Sequence, residues 1–260
     1  MILKRRVALG GVQLDSLDNR IIIKSIDEAA GKESISAVSL GAGNGQRITA
    51  KRRDTLDVTV KFALKIKNDD MAARSTLLDT VNAWARPGGW LTVGHRSGKR
   101  LNVILAQAPG GGDICAWSNE FSMTFRAYAQ PYWEDATATT VTLSQDDEGT
   151  GSITVPGSAE TVAEVSIQNK SGSSISTVAV TVNGCGMAFS GLSMANNDVL
   201  VIDHLQTGRT YALRAMVGIS SVLANKTGAD EFILKPGEND ISYSAGGDVI
   251  VTVSARGRYA

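Results

Sequence analysis

The chain has 260 residues, 43% of them hydrophobic and 5% aromatic, with 27 glycines, 5 prolines and a formal net charge of zero. A folded chain of this size buries roughly 70% of the surface its unfolded form exposes, so its core needs no metal or disulfide staple. Ordinary aliphatic content argues against disorder. No stretch approaches the ~20 apolar residues of a membrane span, and no signal-peptide run follows Met1-Ile2-Leu3-Lys4-Arg5-Arg6.

In chain order, Gly11 to Ile26 reads as two short strands around the turn Asp15-Ser16-Leu17-Asp18-Asn19. Asp27 to Arg53 is polar, punctuated by Gly31, Gly41, Gly43 and Gly45, and only faintly alternating at Ile35, Ala37 and Val38-Ser39-Leu40. A weakly patterned stretch of this length inside a domain points to a functional loop or extended hairpin, here a protruding arm. Leu56 to Ile66 is the clearest strand, since Leu56, Val58, Val60, Phe62, Leu64 and Ile66 alternate with polar or small residues. A helix follows, with Asn68 as cap, Asp69 and Asp70 at its positive end, and Leu77, Leu78, Val81, Trp84 and Ala85 on one side. Pro87-Gly88-Gly89 stops it. Strands resume at Trp90–Val93 and Leu101–Leu105, and a long one runs through Trp117, Phe121, Met123, Phe125 and Ala127 to Pro131-Tyr132-Trp133.

There the composition changes. Residues 1–130 carry 19 Lys and Arg against 12 Asp and Glu, whereas residues 131–260 carry 7 against 14. The reversal places a domain boundary near Pro131, Tyr132 and Trp133, giving domains at 1–133 and 134–260. The second half holds candidate strands at Thr139–Leu143, Ser152–Val155, Val162–Gln168, Val178–Val182, Val199–Ile202, Tyr211–Arg214, Glu231–Leu234, Ile241–Ser244 and Val249–Ala255. Many short strands, no helix, and turns such as Pro156-Gly157 and Pro236-Gly237 indicate an antiparallel β-sandwich.

Residues suited to catalysis are scarce. His95 lies in a charged turn and reads as a solvated loop residue, and Asp203-His204 are strand neighbours facing opposite ways. No G-x-S-x-G elbow occurs. Gly41-Ala42-Gly43-Asn44-Gly45 lacks the Lys-Ser/Thr ending of a phosphate loop. Asp146-Asp147-Glu148 does not match an EF-hand spacing. Cys115 and Cys185 read as separate buried thiols, and Asn169-Lys170-Ser171 and Asn225-Lys226-Thr227 as chance glycosylation matches. The basic residues Lys51-Arg52-Arg53, Arg96, Lys99 and Arg100 alternate with core positions and read as solvated faces, not a phosphate track. A sugar platform would need exposed rings, and the second half offers only Phe189, Tyr211, Phe232, Tyr243 and Tyr259, with Phe232 expected in the core. The expectation is a protein with no catalytic residues, metal or cofactor, no membrane contact and no specific nucleic-acid binding.

The order of these features, with Pro131-Tyr132-Trp133 at the junction and Pro236-Gly237-Glu238-Asn239-Asp240-Ile241 late in the chain, resembles the siphovirus distal tail protein family (Dit) over nearly the whole length. The resemblance implies a mainly β protein. Residues 1–133 would form a sandwich-like belt domain with one helix and an arm at about 27–53, and residues 134–260 a galectin-like antiparallel sandwich. It implies a structural tail-tip subunit of a phage or prophage, assembled in the bacterial cytoplasm. A homohexameric ring of such subunits joins the tail tube protein to the tail-associated tip protein, with a tape-measure or receptor-binding protein as a further candidate partner. Within the arm, Ser34, Ile35, Val38, Leu40, Gln46 and Arg47 are the candidate inter-subunit residues. The competing readings are a carbohydrate-binding sandwich module and another tail or baseplate component.

Overall fold

A computed structural model describes residues 5–29, 31, 33–39, 46–66, 70–111, 120–144, 149–206 and 211–260. Two compact units are present, one over Met1–Trp133 and the other over Glu134–Gln206 with Thr210–Ala260. Both consist mostly of antiparallel strands, and the described residues contain one α-helix.

The first unit begins with β1 (Val7–Leu9), β2 (Val12–Gln13) and a 3-10 turn at Leu14–Ser16. Next come β3 (Ile21–Glu28), β4 (Glu33–Ser39), β5 (Gln46–Arg53) and β6 (Leu56–Leu64). After α1 (Met71–Ala85) follow β7 (Gly89–Val93), β8 (Lys99–Gly111) and β9 (Glu120–Ala127). Hydrogen bonding joins these strands in the order β2-β1-β7-β8-β9-β6-β3, with β4 and β5 forming a separate pair. The alternation read along Leu56–Leu64 is the reason β6 lies between two partners. Leu56, Val58, Val60, Phe62 and Leu64 are all buried, and the strand pairs on one side with β3 and on the other with β9. Phe62 stacks on Phe121 of β9 at 5.7 Å between ring centres. The first part of β8 pairs with β7 and the later part with β9. Its register slips between Gln107 and Gly110, which accommodates Pro109, a residue with no N–H to give a ladder.

Helix α1 buries Leu77, Val81 and Ala85, and Trp84 sets its edge against the Phe125 ring at 6.0 Å. Its cap is Asp70, whose carboxylate accepts from Ala73 N–H at 2.9 Å; Asn68 and Asp69 lie outside the described residues. Replacing Asp70 with alanine is expected to cost about 1 kcal/mol, measurable by urea denaturation. The Pro87-Gly88-Gly89 stop works through Gly88, which adopts φ 67° with space for a β-carbon blocked by Val103 O at 2.5 Å. The early turn differs from expectation: β1 and β2 turn at Gly10-Gly11, both at positive φ, ahead of Asp15–Asn19.

The second unit includes most of β10 (Trp133–Asp135), then β11 (Thr139–Leu143), β12 (Thr150–Val155), β13 (Thr161–Val162), β14 (Glu164–Asn169) and β15 (Ile175–Val182). It continues with β16 (Cys185–Met194), β17 (Val199–Gln206), β18 (Tyr211–Val217), β19 (Ser220–Ser221) and β20 (Lys226–Gly228). It ends with β21 (Ile233–Leu234), β22 (Gly237–Ala245), β23 (Val249–Ala255) and β24 (Arg258–Tyr259). Two antiparallel sheets, β11-β23-β14-β17-β18-β19 and β12-β22-β15-β16-β20, carry this unit. They share one apolar core in which Val165, Ile167, Leu200, Val251 and Val253 of one sheet meet Val178, Val180, Met187, Phe189 and Ile241 of the other. That is a sandwich-like arrangement. Phe232 lies in this core at 1% exposure, as expected.

Strand β16 was not expected from the sequence, because Gly186, Ser190 and Gly191 interrupt its apolar pattern. The run Val162–Gln168 proves to be two strands, β13 and β14. Cys185 departs from expectation too: it is exposed. It follows directly on the Asn183-Gly184 turn, where the strand has only begun to cross the core. Cys115 and the Trp117 part of the expected long strand lie outside the described residues.

Asparagine side chains fasten the sandwich loops. Asn169, fully buried, donates to Ser173 O at 2.7 Å and Met194 O at 2.9 Å, and accepts from Ser171 N–H at 2.9 Å. A nitrogen committed in this way cannot carry a glycan. Asn225 Nδ2 is likewise bonded to Ser190 O at 2.9 Å.

Candidate functional site

The candidate arm is the β4–β5 hairpin. Its register pairs Ile35 with Lys51, Ala37 with Ile48, Val38 with Arg47 and Ser39 with Gln46, with a shift between Ser36 and Ala37. Thr49 spans that shift, donating its hydroxyl to Ser36 O at 3.1 Å. Directly opposed side chains share a face, so Ile35, Ala37 and Ile48 lie on one face, and Val38 and Arg47 on the other. Ile35, Val38 and Ile48 are 54%, 59% and 60% exposed. These β-branched residues favour the strand without burying a face, which is why the sequence pattern was faint. The structure places Ser34, Ile35 and Val38 on β4 and Gln46 and Arg47 on β5. Leu40 and the Gly41–Gly45 run lie outside the described residues.

The root of the hairpin is held by charges. Glu28, the last residue of β3, lies with Oε2 2.8 Å from Arg96 Nε and 2.7 Å from Arg96 Nη2, and with Oε1 2.5 Å from His95 Nε2. Burial pushes the Glu28 carboxyl up, but hydrogen bonds from Arg96 and His95 outweigh it and hold the carboxyl below its ordinary value. His95 is solvated in its turn, as expected, and is also engaged with Glu28. The Arg96 guanidinium in turn lies over the Trp133 ring, 5.3 Å from its centre. Trp133 is buried, and its indole nitrogen has no hydrogen-bond partner among the described residues. At the other end of the hairpin, Arg53 lies over the Tyr132 ring at 5.1 Å. Its guanidinium also rests against Gly31, where a β-carbon would collide with it. Pro131 precedes this pair and is buried. Arg100 stacks over Trp90 at 3.7 Å. Arg53, Arg96 and Arg100 are thus each engaged with an aromatic ring. These partnerships were not legible in the sequence, since Glu28 and Arg96 are 68 positions apart.

The second unit carries a groove of about 580 Å³ over β12, β22 and the end of β15, lined by Thr150, Ser152, Thr181, Asn183, Glu238 and Asp240 among others. Among the described residues, its lining contains no aromatic ring on which a sugar could stack. Asp203 and His204 face different partners, as strand neighbours should. Asp203 pairs with Arg214 at 2.7 Å, and His204 Nε2 lies 3.8 Å from Glu231. The described residues hold no group of three His, Cys, Asp or Glu that could bind a metal, and none of their helices is long and apolar enough to cross a membrane. Asp146-Asp147-Glu148 lies outside the described residues.

His204 provides a pH response. Its side chain is 8% exposed, and burial lowers its pKa below the ordinary 6.5 despite the opposing pull of Glu231 and Asp203. The unfolded chain then binds the proton more readily than the folded one, so stability is full above about 6.5 and falls as the pH drops below it. Lowering the pH from about 7.5 to 5.5, above the carboxylate range, should lower the melting temperature. His204→Gln should flatten that slope. An unchanged slope would contradict this assignment.

No protein-family model matches the sequence, and no curated protein matches it. Among solved structures, the crystal structure of the SPP1 Dit (gp 19.1) protein superposes with a TM-score of 0.69 at 9% identity, covering 97% of this chain and 98% of that one. This chain has the fold of the SPP1 Dit protein. That protein is described as a paradigm of the hub adsorption apparatus in phages infecting Gram-positive hosts. Phage p2 baseplate structures in the activated conformation, with Ca and with Sr, score 0.49 at 6% and 7% identity, each covering 97% of both chains. The likeness to Dit drawn from the sequence is thus met at the level of the fold.

Proposed function

We propose that this chain is a structural subunit of a phage or prophage tail tip, a distal tail protein, and not an enzyme. The observation that carries the reading is a Dit fold along 97% of the chain. In this reading, residues 1–133 are the belt that closes a homohexameric ring, and residues 134–260 are a galectin-like domain at its periphery. The junction between them is Pro131-Tyr132-Trp133. The ring joins the tail tube protein to the tail-associated tip protein, with a tape-measure or receptor-binding protein as a further contact, in a virion assembled in the host cytoplasm.

The hairpin gives this reading a physical basis. A two-stranded ribbon alone is marginal in water, and exposed strand edges are normally paired or covered. A ring needs a head-to-tail interface that closes on itself. Ser34, Ile35, Val38, Leu40, Gln46 and Arg47 would reach a neighbouring subunit, where the exposed Ile35 and Val38 would gain the cover they lack within their own. The absence of aromatic rings among the described residues of the sandwich groove weighs against the carbohydrate-binding alternative. Antibodies raised against the chain should label purified tails at the end distal to the capsid. Particles without label, or label along the tube, would contradict the assignment.

A further inference from the structure

We propose that the root of the arm and the Tyr132-Trp133 segment form one conformational unit, so that the seating of the arm sets the mobility of the segment from which the second unit continues. The inference rests on reading the β4–β5 hairpin as an arm. Both ends of that hairpin are tied to this one dipeptide. On the outgoing side, Glu28 holds Arg96, and Arg96 covers Trp133. On the returning side, Arg53 covers Tyr132 while its guanidinium leans on Gly31, at the start of the outgoing path.

Each link is short and directional. A guanidinium over an aromatic face is attracted by the ring quadrupole, and the paired Glu28–Arg96 contact fixes the plane of the Arg96 guanidinium. Hairpin motion that shifts Glu28 or Arg53 must therefore release a ring at position 133 or 132, or carry it along. The hairpin is exposed and has little packing of its own, whereas Trp133 is buried. Fixing the hairpin against any surface would draw both arginines into register and stiffen the dipeptide. Coupling of this kind is reciprocal.

Gly31 provides a clean probe. Its backbone lies outside the left-handed region, so alanine fits the chain, but the new β-carbon would push the Arg53 guanidinium off Tyr132 without removing a charge. Hydrogen exchange of the full chain, followed by mass spectrometry, reads the hairpin (residues 33–39 and 46–53) and the segment 131–135 separately. Gly31→Ala should accelerate exchange at 131–135 by about fivefold, the factor expected for one lost cation–π contact, and Arg53→Lys should do the same. Tyr132→Leu should accelerate hairpin exchange by a similar factor. The double variant Gly31→Ala/Tyr132→Leu should be no faster than either single one. Exchange in Leu56–Leu64 should stay at its original rate throughout.

The proposal is overturned if Gly31→Ala and Arg53→Lys leave 131–135 at its original rate, or if the double variant is multiplicatively faster. Light scattering on the same samples reports ring formation independently. Rings without exchange coupling refute this inference alone, and coupling in a chain that never forms rings refutes the ring reading alone.

Discussion

Replacing Asn239 with alanine is expected to destabilise the second unit by about 3 kcal/mol, a large loss for a single polar side chain. Asn239 is 1% exposed at the start of β22. Its Nδ2 donates to Lys235 O and Gly237 O, both at 2.9 Å. Its Oδ1 accepts from Lys235 N–H and from Asn183 Nδ2, both at 2.8 Å. One side chain therefore fastens the Pro236-Gly237 turn, the entry to β22 and the Asn183-Gly184 hairpin. Alanine would remove these four bonds at once, and each bond contributes about 0.5–1.5 kcal/mol. Asn239→Asp should be equally harmful at neutral pH, because it sets a carboxylate oxygen against the carbonyls of Lys235 and Gly237. Urea denaturation should show a lowered midpoint with an unchanged slope. A loss below about 1 kcal/mol would mean that the loops hold without this residue.

The second large effect concerns assembly. If the chain forms the proposed ring, deleting Ser34–Gln46 should convert six-subunit particles into single chains while leaving the fold intact. The hairpin places Ile35, Val38 and Ile48 in solvent, and its described residues contribute no member of the buried core of the first unit. Its removal should therefore move the melting temperature of the isolated chain by no more than about 2 °C, while the mass by light scattering falls sixfold. A deletion variant that still gave six subunits would place the ring interface elsewhere. A variant that failed to melt cooperatively would show instead that the hairpin supports the first unit itself.

The sequence made some of this architecture legible and hid the rest for identifiable reasons. Strand β6 was plain because Leu56 to Leu64 has one buried and one wet face, and burial on one face is what writes an alternating pattern. The same logic explains the faint signal of the arm: Ile35 and Val38 face opposite sides, and neither side is covered. Strand β16 was lost in its glycines and serines, although the Asn183-Gly184 pair before it is a strong hairpin signal and takes positive φ at both residues. That turn also sets Cys185 at the exposed start of β16. The candidate site followed a different rule. Its positions could be guessed from weak patterning, but its chemistry could not. The links of Glu28 to Arg96 and Arg53 to Tyr132 join residues separated by most of the first unit. The late Pro236–Ile241 motif was legible as a pattern, and the structure supplies its cause in the bonds of Asn239.

The form that the intact chain takes in solution bears most directly on the proposed role. Negative-stain class averages of the purified full-length protein should show annuli with six-fold symmetry and an open centre. Isolated single-chain particles at every concentration tested would contradict the ring, and with it the role proposed for the arm.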